Sequence, residues 1–158
     1  MPADADAGPF TPGTDPVLLD HMLGKLAVYL RMCGYDGAYA GDRGAESDAA
    51  LQAIARSEGR VLLSRDRTLV TQVPRSVLLT ERDVAAQLDE LRAAGFELSL
   101  PEQPTRCGRC NGRLDAVPAD ADRPDYAPAS SEFTCWRCVD CGQYFWKGSH
   151  WDRVRSLL

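Results

Sequence analysis

Arg60-Val61-Leu62-Leu63-Ser64-Arg65-Asp66-Arg67 runs from a cation through three consecutive aliphatics and a serine into a charged cluster. Its apolar residues do not alternate with polar ones, so neither face of the segment is meant for water. That pattern predicts a strand buried on both faces, as in a parallel sheet covered by helices. Two other segments share this character: Pro16-Val17-Leu18-Leu19, which ends at Asp20, and Ser76-Val77-Leu78-Leu79-Thr80. A shorter strand is predicted at Gly37-Ala38-Tyr39-Ala40.

Between these segments the apolar period becomes helical. Met22, Leu23, Leu26, Leu30 and Cys33 recur at helical spacing, with Gly34 placed to close the helix. Ser47 precedes Asp48, Leu51, Ile54 and Ala55, which predicts an N-capped helix ending near Gly59. Val84, Leu88 and Leu91 mark another, closed by Gly95. Alternating strands and helices predict an α/β fold over residues 16–100: three layers with a mostly parallel sheet in the middle. Pro101 and Pro104 mark its end. Beyond them the helical period gives way to cysteines, turns and aromatics, and 101–158 read as a separate lobe. Residues 1–15 are Ala, Asp, Pro and Gly with a single aromatic, and are expected to form a disordered leader.

The 158 residues are 44% hydrophobic and 26% charged, which excludes a wholly disordered or collagen-like chain. No apolar run approaches the roughly 18 residues of a membrane span. The first residues lack the basic and apolar regions of a secretion signal, so a soluble, cytoplasmic protein is expected. The net charge is −5, and its distribution is uneven. Residues 1–20 carry four Asp and no base, whereas 101–158 carry eight acids and eight bases. The C-terminal lobe therefore does not repel a polyanion through net charge.

Ligands of open α/β sheets bind outside the carboxyl ends of the strands, where strand order reverses. Asp20 ends the first strand, Asp66 follows Ser64 by two residues, and Asp48 opens a helix that should begin on the same rim. Converging carboxylates repel unless a cation joins them, and Mg²⁺ or Mn²⁺ suits oxygen ligands of this type. Such a site can activate water against a phosphodiester. The competing reading makes each Asp a turn former or helix cap. Arg65 and Arg67 either hold phosphate or pair with neighbouring acids. Lys25 either points at the same rim or is simply solvated.

Five of the six cysteines lie within one short stretch. Cys107-Gly108-Arg109-Cys110 and Cys138-Val139-Asp140-Cys141 are CxxC knuckles 27 residues apart, suited to a closed tetrahedral zinc site. Cys135-Trp136-Arg137-Cys138 is a competing pair. The residue after a knuckle often needs a left-handed conformation, which Gly and Asn tolerate best. Asn111 follows Cys110 and Gly142 follows Cys141, whereas β-branched Val139 follows Cys138. Cys107, Cys110, Cys138 and Cys141 are therefore the expected ligands, with Cys135 spare. Half of the 12 aromatics fall between 133 and 151, interleaved with Arg137 and Lys147 and followed by Arg153 and Arg155. Rings with cations suit single-stranded nucleic acid, although a lobe poor in aliphatics also needs rings as its core. Trp146 and His150 are the candidate contacts.

The ordered set resembles the Mut-seven C-terminal RNase domain family, a PIN-like ribonuclease domain with a C-terminal zinc ribbon. The likeness rests on Leu19-Asp20-His21-Met22-Leu23-Gly24-Lys25-Leu26-Ala27, on Leu30-Arg31 and on Gly34-Tyr35-Asp36. It continues through Asp48 with Ala55, Arg60 to Arg67, the two CxxC pairs and Phe145-Trp146-Lys147-Gly148-Ser149-His150-Trp151. Val28-Tyr29 stand where that family commonly has an Arg-Trp pair. The resemblance implies a metal-dependent RNA endonuclease site at Asp20, Asp48 and Asp66, with Asp83 as a fourth acid. Lys25, Arg65 and Arg67 would orient phosphates, and the zinc lobe would grip single-stranded RNA beside the acids. The rival expectation is a non-catalytic module that binds RNA or a protein partner. A toxin-like nuclease held by an inhibitor is a third class.

Overall fold

Four short strands, β1 (Val17–Leu19), β2 (Gly37–Tyr39), β3 (Val61–Ser64) and β4 (Ser76–Leu78), form a fully parallel sheet in the order β2-β1-β3-β4. These coordinates are a computed structural model that describes residues 9–158. The chain steps outward from β1 to β2, then passes back over β1 to reach β3 and β4. Crossovers between parallel strands are right-handed, so this reversal puts successive connecting helices on opposite faces. α1 (Gly24–Met32), entered through a 3₁₀ turn at His21–Leu23, covers one face, and α3 (Asp48–Glu58) covers the other.

The strand side chains divide accordingly. Val17, Leu19, Val61 and Leu63 meet Leu26 and Leu30 of α1 and Leu88 and Leu91 of α5 (Val84–Ala93). Leu18, Ala38 and Leu62 meet Leu51 and Ala55 of α3 and Leu69 of α4 (Arg67–Thr71). Burying one such leucine contributes about 1.5–3 kcal/mol. Burial on both faces explains why the strands show no polar alternation. The helix boundaries follow their caps. Ser47 Oγ accepts from the Ala50 N–H at 3.1 Å, and Gly59 closes α3 at φ 64°.

The short helices α2 (Ala40–Arg43) and α4 are additions to the predicted elements, each too brief to carry a period. The C-terminal region holds an antiparallel sheet of β5 (Leu114–Ala116), β6 (Trp136–Cys138) and β7 (Tyr144–Phe145). The expected loss of helical structure beyond Pro104 is corrected by α6 (Ser149–Leu157). Its only buried residues are Trp151 and Val154, too few anchors to show as a periodic stripe. Val154 belongs to the core beneath α1 and α5, and Arg92 of α5 donates to the Leu157 carbonyl at 2.9 Å. Among the described residues no helix is long and apolar enough to cross a membrane.

The leader expected at 1–15 lies partly outside the described residues, and its described end is packed rather than loose. Phe10 is buried and stacks on Phe96 at 4.5 Å, while Phe10 and Gly95 share a backbone hydrogen bond. Asp15 is held by the Arg75 guanidinium at 2.6 Å. One aromatic ring suffices to anchor an otherwise polar segment when the core leaves a place for it.

The ribbon docks through buried polar contacts. Arg31, 3% exposed at the end of α1, donates to the carbonyls of Gly37 at 2.8 Å and Gly108 at 3.0 Å. Asn111 accepts from the Gly37 N–H and donates to Asp36 at 2.7 Å. These contacts lie where β2 begins, at the amino-terminal edge of the sheet.

Candidate functional site

At the opposite edge, β1 and β3 are adjacent strands whose onward connections leave to opposite sides. Their register pairs Leu19 with Leu63, so the next residues, Asp20 and Ser64, stand side by side. The Ser64 hydroxyl, wholly buried, donates to Asp20 Oδ2 at 2.7 Å and accepts the Asp66 N–H at 2.9 Å. Asp20 Oδ1 accepts the His21 N–H at 2.7 Å, which caps the 3₁₀ turn. Asp66 Oδ1 caps α4, accepting from Thr68 at 2.9 Å and Leu69 at 3.1 Å. A chain of hydrogen bonds therefore joins the two aspartates through one serine.

The other two candidate acids stand at helix starts. Asp48 is the first residue of α3 and is exposed. Asp83 is exposed and caps α5, accepting from Ala86 at 3.2 Å. Among the described residues, the four carboxylates do not gather into a group whose ligand atoms all lie within 4.8 Å of one another.

The cations divide in the same way. Arg65 and Arg67 line a cavity of about 200 Å³ with Leu78, Leu79 and Thr80, at the ends of β3 and β4. The buried Nε of Arg65 has no hydrogen-bond partner among the described residues. Burial alone would raise the nearby Glu90 carboxyl. Donation from Thr80 and Glu81, with the Arg65 charge, outweighs burial and lowers it. Lys25 is exposed in the first turn of α1.

The cysteines do converge. The sulfurs of Cys107, Cys110, Cys138 and Cys141 all lie within 4.8 Å of one another. Cys107 and Cys141 stand 3.7 Å apart, and Cys110 and Cys138 3.4 Å. A tetrahedron with metal–sulfur bonds of about 2.3 Å has edges of about 3.8 Å, so this donor set fits a structural metal such as zinc. The backbone N–H groups of Asp140 and Cys141 point at Cys138 Sγ, each at 3.4 Å. Asn111 at φ 73° and Gly142 at φ 79° follow the two knuckles in left-handed conformations. Cys135 stands apart, with Arg123 donating to its sulfur at 3.0 Å.

Trp146 and His150, the candidate RNA contacts, lie on the ribbon's contact with α1 and line a cavity of about 290 Å³ that also touches Val28 and Met32. Arg31 and Asn111 fasten the lobe where β2 begins. Three residues escaped the sequence reading. Ser64 reads as the end of an apolar run, Arg31 as an ordinary last-turn cation, and Gly108 as a knuckle spacer. Only the small polar residue closing a buried strand was a usable signal.

The model of the family described as Mut7-C RNAse domain matches residues 15–158. No curated protein and no solved structure matches the chain. The match spans essentially the whole chain, and the chain belongs to that family.

Proposed function

We propose that this member of the Mut7-C RNAse domain family is a PIN-like, metal-dependent endoribonuclease that hydrolyses phosphodiester bonds of single-stranded RNA. The observation that carries the reading is the Asp20–Ser64–Asp66 hydrogen-bond chain at the point where strand order reverses. Crevices at that point are where open α/β sheets bind their ligands.

Asp20 and Asp66 supply two hard oxygen donors on adjacent strand ends, the number of protein carboxylates that Mg²⁺ usually takes. They would hold Mg²⁺ or Mn²⁺, with Asp48 and Asp83 completing the acidic wall. Such an ion, when bound, supplies an activated water and offsets charge on the phosphate. The chain's own residues do the rest. Ser64 donates to Asp20 and so aims its carboxylate. Arg65, Arg67 and Lys25 orient phosphates along the rim. Cys107, Cys110, Cys138 and Cys141 hold a structural zinc, which a reducing cytoplasm permits. Residues 16–100 carry the chemistry, and the lobe at 101–158 braces it.

A second reading, a non-catalytic binding module, draws on the capping bonds made by Asp20, Asp66 and Asp83. Cleavage of end-labelled single-stranded RNA by zinc-loaded protein, with and without Mn²⁺, separates the two. Asp20→Asn and Asp66→Asn keep a side-chain oxygen that can cap a helix. Each should lower the Mn²⁺-dependent rate by about 100-fold or more, the scale of losing one charge-stabilising group. RNA bound but uncut by the parent, with or without Mn²⁺, would establish the module.

A further inference from the structure

An apolar cavity bordering α1 has none of the candidate acids in its lining and is unused by the proposed chemistry. It occupies about 290 Å³ between α1, the ribbon and α6. Val28 and Met32 form one side, and Phe145, Trp146 and Trp151 form the other. Ligand pockets run from about 300 Å³ upward, so this one suits a single flat ring system. Arg106, Arg109 and His150 also line it, and no carboxylate-bearing residue does. Arg109 donates to an amide oxygen, Gln143 Oε1, at 3.0 Å, and has no ion-pair partner among the described residues. Trp146 is a shared wall. It also lines a second cavity of about 220 Å³ with Tyr144 and Ser149, which Phe145 and His150 share. Tyr126, 53% exposed, extends the aromatic surface with its ring 6.3 Å from that of Trp146.

We propose that the cavity between α1 and the ribbon receives one unstacked base of single-stranded RNA against Trp146, while Arg109 holds the flanking phosphate. The inference rests on the reading of the chain as an RNA-acting protein. It adds a base-binding site whose lining holds none of the candidate acids, so bound RNA would be gripped at two separate places. Arg106 is shared with the Asp36 carboxylate at 4.0 Å, which leaves Arg109 as the cation that, with the apolar walls, matches a base on a phosphate backbone. An apolar peptide side chain would need no cation at the mouth. Single-strand binding of this kind combines ring stacking with charge and tolerates any base.

The experiment measures direct binding in the absence of divalent ions, so that nothing is cut. Full-length, zinc-loaded protein is titrated with a short single-stranded RNA and with the same backbone carrying abasic positions. The intact RNA should bind about tenfold more tightly, as expected for one stacked base. Trp146→Ala should erase that difference and leave abasic-backbone binding unchanged. Val28→Phe, which fills the cavity without removing its wall, should do the same. Zinc content and melting temperature identify a variant that has failed to fold. Equal affinity for intact and abasic RNA in the parent overturns the proposal. So does full base-dependent affinity in folded Val28→Phe protein. Binding of an apolar peptide with no RNA binding would overturn it and assign the cavity to a protein partner. Base-dependent binding by a protein that never cleaves RNA would sustain this site and remove the endoribonuclease reading.

Discussion

At Ser64 a hydroxyl with no solvent exposure serves two partners, donating to Asp20 and accepting from the Asp66 backbone. A buried hydroxyl stays only where both its donor and acceptor capacity are used. The same economy governs Glu58, whose carboxylate accepts from Arg43 at 2.8 Å and from Arg60 at 2.7 Å. The Arg43 hydrogen bonds, followed by those of Arg60, lower its carboxyl to about 2 from an ordinary 4.5. A group depressed on folding adds stability above its unfolded value and loses it as pH falls toward the folded one. The melting temperature should therefore fall between pH 4.5 and pH 2 more steeply in the parent than in Glu58→Gln. Parallel curves for the two proteins through that window would show that the pair contributes nothing measurable.

Elements came through from sequence wherever a cap agreed with a period. Ser47 and Gly59 bracket α3 at both ends, and the strand runs 61–64 and 17–19 fall inside their predicted segments. Ser47→Ala removes the acceptor of the Ala50 N–H and should cost about 1 kcal/mol of unfolding free energy. Urea denaturation followed by far-ultraviolet dichroism would read it as a lower midpoint at unchanged slope. An unchanged midpoint would mean that water replaces the cap. α6 lacked both cues. It starts at Gly148 with no side-chain cap, and its two buried residues gain their meaning only from the core they reach.

Across the whole molecule the C-terminal lobe and the α/β sheet are joined by Val154, which enters the core beneath α1 and α5, and by a few polar bonds from the ribbon. Arg31 to Gly108 and Asn111 to Gly37 and Asp36 tie the knuckles to the start of β2. Asn111 is also the left-handed residue that turns the first knuckle. Its side chain can reach β2 only while that knuckle is formed. Metal binding of this kind is worth about 10–16 kcal/mol and is spent as folding energy. Stripping zinc with a strong chelator should therefore abolish the near-ultraviolet signal of buried Trp136 and lower the melting temperature of the α/β part as well. An unchanged α/β transition after complete metal loss would mean the two parts are stable independently.

The sequence alone determined what is local. Unbroken aliphatic runs demanded doubly covered strands, because each strand face must find apolar neighbours. Asn111 and Gly142 selected the correct cysteines, because a left-handed backbone excludes a residue like Val139. The tertiary structure decided what depends on residues far apart in the chain. Asp20 and Ser64 are 44 residues apart and meet only because β1 pairs with β3. No local pattern encodes that pairing, since β1, β3 and β4 all read as similar apolar runs. The same holds for the ribbon's place. Its aromatics and cations were legible, but the edge of the sheet beside which the ribbon packs was set by Arg31 and Asn111, whose partners lie on other elements.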